Sequence, residues 1–191
     1  MNYPNNMHKQ SSNPISHRNR GMDLENALNI SNQYYIEINR ALIYKKPTPI
    51  GIVDVKYNDN HKVIDKAYFK CPSTLDYNGL YRGKYLEFEA KETINKTSFP
   101  LKNIHPHQIL HIRKVIEHQG LVFLIIKINN EVYFLDGQDF IDYLSENTRQ
   151  SLPYLYIKEK GHFIKEEYLP CLDYLKIVDE IYFKGDKYGN S

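Results

Sequence analysis

Hydrophobic and polar positions change period several times along this chain, and each change predicts an element. From Met22 to about Asn39, the residues Leu24, Leu28, Tyr35 and Ile38 recur at helical spacing. Ala41 to Tyr44 reads as a short strand, ended by Lys45-Lys46-Pro47-Thr48-Pro49. Two β-rich runs follow, Ile50 to Tyr57 and Lys62 to Lys70, with the turn signal Asn58-Asp59-Asn60 between them, so a long hairpin is expected over about 50–70. A second hairpin is expected from Asp76 to Thr93, connected through the turn-forming Asn78, Gly79 and Gly83. Asn95 to Asn103 reads as a loop, and His105 to His118 as a helix that turns Ile109, Ile112, Val115 and Ile116 inward. Leu121 to Ile128 is apolar almost throughout, as suits a central strand covered on both faces. The Asn129-Asn130 turn leads to its neighbour, Glu131 to Leu135. Helices are expected near 137–144, near 153–160 and over Leu172 to Phe183, and these late helices are assigned to packing or dimerisation.

Composition narrows the class. With 191 residues, 41% hydrophobic and 25% charged, the chain suits one globular domain over 21–191. Residues 1–20 carry Lys9, Arg18 and Arg20, no acid and no hydrophobic period, so a flexible basic arm is expected there. It is either a phosphate contact or a dispensable leader. No apolar run approaches the roughly 20 residues that span a bilayer, and the start lacks the apolar core of a signal peptide; no membrane partner is expected, and the expected location is the cytoplasm. Cys71 and Cys171 lie far apart, as reduced thiols do. Internal repeats, phosphate-cradling glycine loops and dinucleotide fingerprints are missing, which leaves nucleotide hydrolysis without support. A net charge of +2 does not by itself point to nucleic acid.

The chemistry concentrates between Ser73 and Lys91. In the alternating run, Glu87, Glu89 and Lys91 fall on one face of a strand, while Phe88 and Ala90 point the other way. Crowded carboxylates repel one another unless a cation lies between them, and carboxylate oxygens with retained waters are the ligands Mg2+ prefers. A lysine beside such a site can polarise a water or offset charge on a phosphorane-like transition state. The competing reading is a solvated strand face with an ordinary Glu–Lys pair. His107 and His111 have the i, i+4 spacing of a zinc pair but lack the intervening glutamate, so phosphate contact or helix-start hydrogen bonding competes with metal binding there.

Asp76, then Glu89-x-Lys91, is the pattern of the PD-(D/E)xK nucleases. The longer string Thr74-Leu-Asp76-Tyr-Asn-Gly79, Gly83, Phe88-Glu89-Ala90-Lys91-Glu92-Thr93 and Phe99-Pro100-Leu101-Lys102 resembles the RecU-type Holliday junction resolvases. The resemblance continues in Gly21-Met22-x-Leu24-Glu25, in Lys45-Lys46-Pro47-Thr48-Pro49 and in His105-x-His107-Gln108. It implies an α/β fold with a restriction-endonuclease-like mixed central β-sheet flanked by helices and a protruding β-hairpin stalk at about 50–70. It implies a metal site of Thr74, Asp76, Glu89 and Gln108 around Mg2+, or Mn2+ in its place, with Lys91 beside it as the third catalytic residue. Glu25, on the first helix, becomes a secondary site candidate; without the resemblance it reads as a capping or surface acid. Lys45 and Lys46 are DNA-backbone candidates, with a solvated turn as the alternative. Lys66, Tyr68, Phe69 and Lys70 of the stalk are candidates for contact with unpaired bases, or else Tyr68 and Phe69 are plain strand residues, one facing the core. The implied function is paired symmetric nicking of four-way junction DNA in recombination and repair, by a homodimer in the bacterial cytoplasm, at the nucleoid. The strand-exchange recombinase and the branch-migration machinery are possible partners. The alternatives are a non-catalytic, recombinase-modulating junction binder and a nuclease for another branched DNA.

Overall fold

A computed structural model describes residues 23–58, 61–70 and 74–184. The expected arm, Gly21 and Met22, the Asp59-Asn60 turn, Cys71 and Ser73 lie outside the described residues.

A six-stranded sheet forms the body, in the order β1-β4-β5-β7-β8-β10. These strands are Leu42–Lys45, Tyr77–Tyr81, Lys84–Thr93, Leu121–Ile128, Glu131–Asp136 and His162–Ile164. Only β5 and β7 pair in parallel, through a crossover that contains helix α2 (Pro106–Glu117); every other neighbour is antiparallel, so the sheet is mixed. Strand β7 spans the residues its apolar run predicts. Its Phe123 and Ile125 join one core, and its Val122, Leu124, Ile126 and Ile128 join another, as a strand covered on both faces requires.

Helices α1 (Leu24–Glu37) and α5 (Tyr174–Tyr182) supply residues to the first core, while α2, α3 (Gly137–Glu146) and α4 (Tyr154–Lys160) supply the second. In the first core a row of stacked rings crosses four neighbouring strands, Tyr77 on Phe88, Phe88 on Phe123 and Phe123 on Phe134, with centroids 4.6, 5.0 and 4.2 Å apart. Tyr174 of α5 packs against the middle of this row. Face-to-face aromatic burial of this kind locks the β4–β5 register, and that register decides which residues meet on the opposite face.

Two sequence expectations are corrected. Asn78 and Gly79 do not turn the chain but lie inside β4; the turn is Arg82-Gly83, with φ of 50° and 75°, between the paired Tyr81 and Lys84. Two positive φ values are what a two-residue turn needs to match the strand twist. Gly79 answers a different need, because a Cβ there would lie 2.1 Å from the carbonyl oxygen of Leu42 on β1. The stretch 95–103 is also not a plain loop. Ser98–Pro100 forms β6, paired with β9 (Ser151–Pro153), and Leu101–Asn103 is a 3-10 turn.

Among the described residues, β2 (Ile50–Asn58) and β3 (His61–Phe69) pair only with each other, with a bulge near Val53. Every residue of β3 is exposed, so neither Tyr68 nor Phe69 faces a core; they are 56% and 81% exposed. Among the described residues, the hairpin joins neither the six-stranded sheet nor the β6–β9 pair. Among the described residues, no helix is long and apolar enough to cross a membrane.

Candidate active site

On β5, Leu86, Phe88 and Ala90 point into the aromatic core, which sends Glu87, Glu89 and Lys91 to the opposite face, toward α2. β4 lies antiparallel beside it with Tyr77 opposite Phe88. One step further along, Asp76 therefore comes opposite Glu89. The backbone N–H of Asp76 donates to Glu89 Oε2 at 3.0 Å. The Lys91 ammonium pairs with Glu89 Oε1 and lies 3.4 Å from Asp76 Oδ2. Two carboxylates and one amine thus meet at a single point, at the end of β4 and the middle of β5.

The two glutamates of this face are equally buried but differently served. Glu87 accepts from the Lys46 ammonium, from the Tyr85 hydroxyl at 2.7 Å, from His111 Nε2 at 2.7 Å and from the Leu75 N–H at 3.0 Å. Burial raises its carboxyl pKa, but the hydrogen bonds from Lys46, Tyr85 and His111 outweigh this and hold it below the usual value. Glu89 is pushed up to about 7, first by burial and then by the charge of Asp76, against the pull of Lys91. Its Oε1 meets Lys91 as an ion pair without hydrogen-bond geometry. Lys91 stays above its ordinary value: burial lowers it, but Glu89 and Asp76 raise it more.

This donor set suits a hard cation. Glu89 is buried, Asp76 places a half-exposed carboxylate beside it, and only Lys91 stands between their charges, so a cation there would relieve both the burial and the repulsion. Among the described residues, no group of three or more His, Cys, Asp and Glu side chains converges as a metal cage. Neutral oxygens, water or substrate phosphate would complete the shell, which is the usual manner of Mg2+.

The other expected residues are placed as follows. Thr74 is half-buried, two residues before Asp76. Gln108 is buried in the first turn of α2, where its Oε1 accepts from the His105 N–H at 2.9 Å; that oxygen caps the helix start. Glu25 lies 2.5 Å from the Lys45 ammonium. Burial, then the charges of Glu25, Asp76, Asp23 and Glu89, hold the Tyr77 hydroxyl above its ordinary value. Lys46 turns its ammonium inward onto Glu87. Lys66 and Lys70 are exposed, on β3 and directly after it. The sequence put Glu87 with the metal-facing acids but missed its partners. Tyr85 was within reach, two positions away on the same strand face, whereas Lys46 and His111 lie 41 and 24 residues off and carry no local signal. His111 belongs to this network; His105 and His107 stack on each other, 5.5 Å apart.

The family profile described as "RecU: Recombination protein U" matches residues 19–180. The Holliday junction resolvase RecU of Oceanobacillus iheyensis is 45% identical, covering 96% of this chain and 100% of that protein. The protein of the same name from Geobacillus sp. (strain WCH70) is 50% identical, covering 86% of this chain and 85% of its own. The solved structure of Archaeoglobus fulgidus Hjc, a Holliday junction resolvase, aligns with a TM-score of 0.40 at 9% identity, over 71% of this chain and 94% of that one. A likeness that slight decides nothing about fold or function.

Proposed function

The chain belongs to the Recombination protein U family, and from that premise we propose that it is a Holliday junction resolvase, a Mg2+-dependent endonuclease that nicks four-way DNA junctions during recombination and repair, with Mn2+ able to substitute. The observation that carries the proposal is the meeting of Asp76, Glu89 and Lys91, in which Glu89 receives the Asp76 N–H and Lys91 reaches both carboxylates.

Asp76 and Glu89 hold the divalent ion. Bound there, the ion supplies Lewis acidity to the scissile phosphate and lowers the pKa of the attacking water. Lys91 restrains the two negative charges and, from the same strand face, orients the water or offsets charge gathering on the phosphate. Thr74 and Gln108 would contribute neutral oxygens, as the family resemblance implies, although the Gln108 oxygen also caps α2. Hydrolysis breaks the P–O3′ bond, leaving 5′-phosphate and 3′-hydroxyl ends. Resolution needs two cuts on opposing strands, so two copies act as a twofold dimer. Lys66, Tyr68, Phe69 and Lys70 meet DNA from the hairpin, and recombinase and branch-migration proteins are its protein partners.

Incubation with a mobile four-way junction and Mg2+ tests this, with each strand labelled in turn. Paired symmetric nicks that vanish on chelation are expected. Equal cutting of linear duplex or flaps would replace the assignment with a nuclease of another DNA form, and junction binding without any nick would replace it with a non-catalytic binder.

A further inference from the structure

Among the described residues the β2–β3 hairpin joins no other strand and every residue of β3 is exposed, so its direction is decided at its base. The chain enters it through Lys46-Pro47-Thr48-Pro49 and returns to the body through Leu75 and Asp76. Both feet meet one carboxylate. Glu87 Oε1 accepts the Lys46 ammonium from the entering foot and the Leu75 N–H, at 3.0 Å, from the returning one. Glu87 Oε2 is held by the body, through Tyr85 of β5 and His111 of α2, each at 2.7 Å. The feet also hold each other: the Lys46 N–H donates to the Asp76 carbonyl at 2.8 Å and the Lys70 N–H to the Pro49 carbonyl at 2.9 Å.

A buried carboxylate costs several kcal/mol in lost hydration, and an apolar residue could fill the same space. What the carboxylate adds is direction, because each oxygen accepts along defined lone pairs. With both oxygens taken by four donors, Glu87 has no place left for a metal ion. Its neighbour Glu89 holds the very next amide, that of Asp76. Two alternate glutamates of β5 therefore grip two consecutive amides of the returning foot.

We propose that Glu87 is a positioning residue that clasps both feet of the hairpin to the catalytic strand, and so fixes the distance between the hairpin and the phosphate that is cut. The proposal rests on the resolvase reading: the hairpin engages the junction, Asp76 and Glu89 cut, and Glu87 makes them one rigid unit.

The test maps cut positions on a synthetic four-way junction with a fixed crossover, in Mg2+, using Glu87→Gln, Glu87→Asp and Lys46→Met. Glu87→Gln keeps the shape but only one accepting oxygen. It is expected to spread the cuts over neighbouring phosphates and slow single-turnover cleavage about tenfold to a hundredfold, as misplacement by about 1 Å does. Junction affinity in Ca2+ should stay within about threefold. Glu87→Asp keeps both oxygens but withdraws them by one methylene, so it should spread the cuts as Glu87→Gln does, which a mere change in stability would not do. Cuts confined to the wild-type phosphates in Glu87→Gln and Glu87→Asp, whatever their rate, overturn the proposal. Should Glu87→Gln fail to fold by circular dichroism, Lys46→Met is read by the same map with the same expectations. Hydrogen exchange on the metal-free protein supplies a second readout: residues 45–50 and 74–77 should exchange faster in Glu87→Gln while α5 does not change. Unchanged exchange at the feet overturns the clasp. If wild-type protein leaves the junction uncut, the resolvase reading fails, and exchange alone decides whether the clasp exists.

Discussion

Glu87 and Glu89 occupy the same strand face with no exposure to solvent, yet one is surrounded by donors and the other is not. That difference underlies the roles proposed for them. A carboxylate that already takes four hydrogen bonds, one from an ammonium, gains little from a further cation, whereas one whose burial and whose neighbour Asp76 push its pKa up to about 7 gains more. Asp76→Ala or Glu89→Gln should therefore cut junction cleavage by about a thousandfold or more, the scale of several kcal/mol of transition-state stabilisation. Ca2+-supported junction binding should persist in gel-shift titrations; residual paired nicks near the wild-type rate would remove these residues from the site. Lys91→Met is expected to lose cleavage to a lesser degree, since the cation ligands remain. The Asp76, Glu89 and Lys91 set was legible in the sequence because strand alternation puts Glu89 and Lys91 on one side and the family motif supplies Asp76. The service of Glu87 was hidden, since two of its partners arrive from a distant loop and a distant helix.

At the level of elements, what could be read depended on length. β7 was legible because eight residues of nearly continuous hydrophobicity stand between Gly120 and the Asn129-Asn130 turn. β6, β9 and β10 have three residues each, too few to show a period, and form only because partners lie across from them. The Asn78-Gly79 pair misled for a physical reason. Asn-Gly is a strong hairpin signal, but here Gly79 lets the β1 backbone approach, and the reversal occurs three residues later. The two glycines are therefore expected to respond differently to alanine. Gly79→Ala drives a Cβ into the Leu42 carbonyl and Ile43 Cα and should cost about 3 kcal/mol. Gly83→Ala meets no atom within 4 Å and bears only the strain of φ 75°, about 1 kcal/mol. Urea unfolding of both variants checks the order. Equal costs would mean that β1 can shift away from β4, and with it the Lys46 foot of the hairpin.

Across the whole molecule, tyrosine does much of the work that tryptophan does elsewhere: the chain has 17 tyrosines and no tryptophan. Burial, above all, holds the hydroxyls of Tyr35, Tyr174 and Tyr182 far above their ordinary value. A group whose folded pKa is raised leaves stability intact below its unfolded pKa, about 10 for tyrosine, and removes it as pH climbs from there toward the folded value. The urea midpoint should thus hold to about pH 9 and fall steeply above about pH 10, with these tyrosines ionising only as the protein unfolds. Early tyrosinate absorbance from every ring, without unfolding, would contradict the packing.

The same whole-molecule view bears on the paired cut. Asp76, Glu89 and Lys91 are all supplied by one chain and meet at one point, so on the proposed reading one copy brings one site and hydrolyses one phosphodiester at a time. Coordinated nicks on opposing strands then require a second copy related by a twofold axis. Mixing wild-type protein with excess Asp76→Ala and allowing subunits to exchange should yield junctions nicked on one strand only, while total nicking falls in proportion to the wild-type fraction. Paired cuts surviving at the wild-type ratio would show that one copy turns over twice on the same junction, and the dimer would then be unnecessary to the chemistry.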